Sequence, residues 1–159
     1  MTGYTIASEA GVIIAQVSHH DITTTEAPRV NSTNPTNGGS PVSQLTAIRI
    51  DEDGTLTVCQ LEATPEGSLL HAMYAALDVR TIETFELPGH IDVIFDEEGK
   101  LTGAQPNDRG TVTALMLGGR FLPGDYIAGP ALFLGYTDDG EHVGLTEDQM
   151  RRILTASID

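Results

Sequence analysis

The chain has 159 residues, a net charge of −15 and a single cysteine. That length is one domain, or one domain with a tail, and it can bury a core without a metal or disulfide staple; one cysteine excludes an intramolecular disulfide. Twenty-three acidic residues face seven Arg and one Lys, so no basic stripe exists to displace counterions from nucleic acid or to settle on an anionic membrane.

Taken in chain order, the N-terminus Met1-Thr2-Gly3-Tyr4 lacks a basic region followed by an apolar stretch, and no apolar run reaches membrane-spanning length. A cytoplasmic location is therefore expected. Gly11 to Val17 is apolar and short, and periodicity leaves strand and short helix both open. His19 to Ser43 is rich in Thr, Asn, Ser, Pro and Gly, with too little apolar surface to offset the entropy of ordering it. Residues 1–43 thus read as an appendage containing a flexible linker, and residues 44–159 as the folded domain.

From Leu45 the pattern becomes regular. Leu45 to Ile50 alternates as a strand, and Leu56 to Leu61 returns. Thr64-Pro65-Glu66 has the chemistry of a helix start, and Leu69, Leu70, Met73, Tyr74 and Leu77 recur at helical spacing behind it. Thr81 to Leu87 is a strand, with Ile82 out of phase. Pro88-Gly89 turns the chain into Ile91 to Phe95, and a short strand is expected near Leu101. Pro106-Asn107-Asp108 opens a second helix that Gly118-Gly119 ends. Pro130 to Tyr136 reads as a central strand. Thr146 with Gln149 has capping-box spacing and opens a last helix, with Met150, Ile153 and Leu154 facing inward and Arg151 and Arg152 near its negative end.

An acidic Gly turn recurs between apolar runs: Asp51-Glu52-Asp53-Gly54, Glu97-Glu98-Gly99 and Asp138-Asp139-Gly140. A glycine in the left-handed region closes a hairpin at little steric cost, and carboxylates are well hydrated at such tips. The expected fold is α+β, a single domain with a mostly antiparallel sheet of about five strands and two or three helices packed on one face.

This order of elements resembles the family known as domain of unknown function 3846, found in phages, plasmids and their bacterial hosts. The resemblance rests on Leu69-Leu70-His71-Ala72-Met73-Tyr74-Ala75-Ala76-Leu77, on Ile82-Glu83-Thr84-Phe85-Glu86-Leu87-Pro88, and on Ile91 to Leu101 followed by Pro106-Asn107. It also rests on Ile127 to Phe133 and on Leu145 to Gln149. It covers about residues 45–154 and none of the appendage. Family members carry Gly-Gly after the first helix where this chain has Asp78-Val79-Arg80. The resemblance implies a mobile-element accessory protein, in the host cytoplasm if phage-encoded, and implies no reaction.

Candidate chemistry is sparse. Asn107, Asp108, Arg109 and Thr111 sit at a helix start, where free N–H groups, a guanidinium and a hydroxyl suit an anion such as a nucleotide; a plain helix cap is the competing reading. His19, His20, His71, His90 and His142 show no zinc-ligand spacing, and the Asp51 turn breaks off as a calcium loop after Gly54. No metal or cofactor is expected. No nucleophile elbow is present, and exposed carboxylates lack the burial that splits a catalytic pair. Cys59, mid-strand, reads as a small buried hydrophobe.

The expectation is therefore a non-catalytic acidic protein. It would present Asp51, Glu52, Asp53, Asp96, Glu97, Glu98, Asp138, Asp139 and Glu141 to a basic host protein surface, as a DNA mimic or defence inhibitor. The alternatives are a small-molecule or nucleotide binder using the 107–111 helix start, and a hydrolase or transferase. Acidity also serves solubility, and it would suit a salt-rich cytoplasm.

Overall fold

The fold, seen in a computed structural model, is described for residues 8–9, 12–15 and 43–158. In chain order the elements are β1 (Ser8–Glu9), β2 (Val12–Ala15), β3 (Gln44–Ile50), β4 (Leu56–Glu62), α1 (Leu70–Leu77), β5 (Glu83–Leu87), β6 (Ile91–Phe95), α2 (Gly99–Thr102), α3 (Asp108–Met116), β7 (Ala131–Tyr136), β8 (His142–Val143) and α4 (Glu147–Ala156). The strands make one sheet in the order β1-β2-β4-β3-β7-β6-β5, with β8 paired to the end of β7. Every pairing is antiparallel. The class is α+β, as expected.

Of the two readings of the Gly11–Val17 run, the strand is the one observed, over Val12–Ala15, with Ile14 opposite Cys59 on β4. The stretch expected to be a linker lies outside the described residues except for Ser43.

Two apolar layers flank the sheet. On one face Ile48, Ile50, Ile91, Val93 and Phe133 pack under α3 and α4, joined by Ala114, Leu117 and Ile153. On the other, Ala47, Cys59, Leu61, Ile94, Leu132 and Leu134 pack under α1 through Ala72, Met73, Ala76 and Leu77. Helices on a single face were expected; α1 lies opposite to α3 and α4. The physical reason is the composition of β6 and β7. All five residues of β6 and the first five of β7 are buried, and a strand apolar on both faces needs cover on both.

Local signals met or missed their elements for identifiable reasons. Gly54 (φ +82°) and Gly140 (φ +81°) take the left-handed region in the β3–β4 and β7–β8 turns. Gly99 does not. It begins α2, and a Cβ there would lie 2.7 Å from the Ala128 carbonyl oxygen, so its glycine serves close packing and not a hairpin. The strand expected near Leu101 is α2, with Leu101 itself 87% exposed. Thr64-Pro65-Glu66 forms a turn instead of the start of α1: the Thr64 hydroxyl accepts from Ser68 N–H, and the helix begins six residues after Thr64 at Leu70.

The corner after α1 is made by Asp78-Val79-Arg80. Asp78 adopts a left-handed conformation (φ +55°, ψ +48°). Its N–H donates to Ala75 O, and Val79 N–H donates to Tyr74 O, the bond pattern glycine usually supports at a helix end. Aspartate is among the few side chains that tolerate it. α4 begins with the expected capping box between Thr146 and Gln149. Ile153 is buried and Met150 partly so, but Leu154 points outward at 40% exposure. Arg151 pairs with Asp148, and Arg152 donates to Pro88 O on the β5–β6 turn; neither lies in the last turn of the helix.

Cys59 is 2% exposed, with its thiol directed at Ala47 O. Burial, the dominant influence, pushes its pKa up to about 11 from 9.0. The folded state holds the proton more tightly than the unfolded chain, so this contribution to stability is whole below pH 9.0 and is lost as the pH climbs towards 11. Cys59 should therefore resist a disulfide reagent at about pH 8 in the native protein and react promptly in urea. Native-state reaction at the rate of a free thiol is the contrary result.

Candidate functional site

The helix start at residues 107–111 is built mostly from internal bonds. Asn107 is fully buried. Its amide nitrogen donates to Ile50 O (2.8 Å) and Gly129 O (2.9 Å), and its Oδ1 accepts from Gly110 N–H (2.8 Å). One side chain thus caps α3 and ties it to the end of β3 and to the segment before β7. Gly110 is required by this arrangement, since a Cβ there would meet Asn107 Oδ1 at 2.8 Å. Thr111 is buried; its hydroxyl donates to Asn107 O and accepts from Ile127 N–H.

Arg109 is half-buried and clamps backbone. Its Nε donates to Ser157 O (2.8 Å), just past α4, and its Nη1 donates to Gly54 O in the β3–β4 turn. Asp108 alone of the four is exposed. An open depression of about 420 Å³ lies here, lined by Asp53, Gly54, Asp108, Arg109, Val112, Ala156 and Ser157. A second, of about 620 Å³, is lined by Asp51, Glu52, Asp53, Gln105 and Pro106.

The strand order places the acidic residues. β3 and β6 both pair antiparallel with β7, one on each side. They therefore run in the same direction, and the turns that follow them emerge at the same end of the sheet. Asp51, Glu52, Asp53, Asp96, Glu97 and Glu98 are gathered there. Asp138, Asp139 and Glu141 follow β7 and so lie at the opposite end.

Within the first group the carboxylates differ. Asp51 accepts from Arg49 Nε at 2.8 Å, and Asp96 accepts from the Thr81 hydroxyl and Glu98 N–H. Glu52, Asp53, Glu97 and Glu98 are exposed. Asp53 receives the Thr55 N–H at 2.8 Å, and that bond holds its carboxyl below the ordinary range.

Sequence reasoning missed the pairing at the other end. Asp92 is 5% exposed and its Oδ2 lies 3.0 Å from His142 Nε2; its Oδ1 has no hydrogen-bond partner among the described residues. His90 meets Asp138 at 3.2 Å and tilts against the Tyr136 ring. Two His–Asp contacts thus link the β5–β6 hairpin to the β7–β8 hairpin in reciprocal fashion. The available signal was Asp92 itself, a lone carboxylate inside the apolar run Ile91–Phe95. No Ser, Thr or Cys hydroxyl or thiol is hydrogen-bonded to either histidine among the described residues. Nor do those residues include a group of three or more His, Cys, Asp or Glu placed to hold a metal ion. No described helix is long and apolar enough to cross a membrane.

A family model described as Domain of unknown function (DUF3846) matches residues 45–157. No curated protein matches, and no solved structure does.

The bonding of Asn107 sets an expectation for stability. Asn107→Ala strands two buried carbonyls and the Gly110 N–H, and should cost about 2–4 kcal/mol in urea unfolding. Asp108→Ala, which loses an exposed carboxylate at the helix start, should cost under about 1 kcal/mol. Equal costs for the two would refute this assignment of Asn107.

Proposed function

We propose that this chain, a member through residues 45–157 of the family Domain of unknown function (DUF3846), is a non-catalytic docking protein that meets a basic protein surface with one end of its sheet. The observation that carries the reading is the convergence of Asp51–Asp53 and Asp96–Glu98, forced by the shared direction of β3 and β6. Carboxylates so gathered make a potential that reaches about a Debye length into solvent and steers a positive partner.

The cations support the same reading by their employment elsewhere. Arg49 bonds Asp51 and Ala76 O, Arg109 bonds two carbonyls, Lys100 pairs with Asp125 and lies over Tyr126, and Arg152 bonds Pro88 O. These four cations are engaged within the chain, and none of these bonds reaches Glu52, Asp53, Glu97 or Glu98. In the narrower form of this reading, the chain is a mobile-element accessory protein. Its carboxylates then stand in for phosphates before a DNA-processing or defence enzyme of the host. The anion-site reading at residues 107–111 has weaker support. Asn107 and Thr111 are bonded internally, and the depression beside Arg109 carries Asp53 and Asp108, which repel an anion.

Partner capture from a bacterial lysate should fall steeply between about 50 and 300 mM salt, as contacts between exposed charges do. Replacing Glu52, Asp53, Glu97 and Glu98 together by Gln or Asn should weaken it about tenfold or more. The matching replacement of Asp138, Asp139 and Glu141 should leave it within about twofold. Salt-insensitive capture, or equal loss from both sets, would count against the proposal.

A further inference from the structure

α3 is amphipathic in the wrong direction for a helix that only covers a sheet. Its buried residues are small or polar: Gly110, Thr111, Thr113 and Ala114. Its large apolar residues, Val112, Leu115 and Met116, face solvent at 39%, 45% and 58% exposure. Their spacing of i, i+3 and i+4 makes one continuous strip along the helix. The small inner residues have a clear cause, because the Asn107 bonds draw the start of α3 tight against β3 and the segment before β7. That cause does not extend to the outer face, where polar residues would cost nothing. A contiguous exposed apolar strip rimmed by charge is the mark of an interaction surface.

We propose that this strip seats an amphipathic basic segment of a protein partner. Its apolar side chains would lie on Val112, Leu115 and Met116, and its Lys or Arg would reach Asp53 and Asp108. Val112 lines the same depression as those two carboxylates, Ala156 and Arg109, whose guanidinium is bonded to Ser157 O and Gly54 O, so an apolar floor meets a rim with two carboxylates and one engaged cation. Charge selects the occupant. A second copy would bring another net charge of −15 to the strip, and an anionic lipid surface would meet the same repulsion; a basic segment gains from it. The inference rests on the basic-partner reading above and adds where the partner is anchored and what chemistry it must show.

The test uses the full chain and two labelled peptides, followed by fluorescence anisotropy. One is an amphipathic leucine–lysine peptide, and the other carries serine at each leucine position. Leu115→Gln with Met116→Gln should weaken the leucine–lysine peptide about tenfold and leave the serine–lysine peptide unchanged. Both side chains are exposed, and an unchanged melting temperature confirms the fold. Unaltered binding of the leucine–lysine peptide to this variant overturns the proposal. So does a dimeric wild type that the variant dissolves, because the strip then belongs to a second copy. The parent reading fails separately: the serine–lysine peptide then shows no loss when Glu52, Asp53, Glu97 and Glu98 are neutralised.

Discussion

β7 pairs with β3 along one edge and with β6 along the other, both antiparallel, and most of the molecule's geography follows from that. Two neighbours antiparallel to the same strand must run in the same direction as each other, so whatever follows them in the sequence leaves the sheet at a common end. β7 and β6 are also buried on both faces and mostly apolar, which obliges the chain to supply a layer on each side. α3 and α4 cover one face, and α1 covers the other. The position of one strand thereby sets the distribution of charge at the ends and of helices over the faces.

Arg49, Arg109 and Arg152 hold these layers in place. Arg49 reaches from β3 to the carbonyl of Ala76 on α1. Arg109 joins α3 to the β3–β4 turn and to the residue after α4. Arg152 holds α4 to the β5–β6 turn, where a Cβ on Gly89 would fall 1.9 Å from its Nη1. Hydrogen bonds from a charged donor to carbonyl oxygens are stronger than neutral ones, so a chain with few cations gains most by placing them at helix ends and turns. Architecture and electrostatic character are linked here: Arg49, Arg109 and Arg152 fasten elements to one another, while Arg80 and Arg120 are exposed.

Local chemistry was readable at several positions where both partners of an interaction lie within a few residues, though not at Thr64, whose hydroxyl accepts from Ser68 N–H in a turn. Thr146 and Gln149 form their capping box, and Asn107 caps Gly110 as the helix-start reading expects. Gly54 and Gly140 turn their hairpins. The same letters misled where a distant group decides. Glu97-Glu98-Gly99 resembles the other acidic turns, yet Gly99 enters a helix and is glycine because the Ala128 carbonyl lies against it. Arg109 read as an anion-binding cation; its partners, Gly54 and Ser157, stand 55 and 48 residues away. Asp92 and His142 are 50 residues apart, and no spacing rule joins them.

The sequence by itself determined the class of the fold, the identity of most strands and helices, the caps of α3 and α4, and a net charge of −15. Those properties depend on composition and on patterns among residues close in sequence, including periodicities of two and 3.6. Only the tertiary structure decided that two of the three acidic turns share an end, that α1 crosses to the opposite face, and that α3 turns Val112, Leu115 and Met116 outward. Each of these depends on which strands pair and on which face of a helix a buried side chain pulls inward, and such long-range choices leave no mark on neighbouring residues.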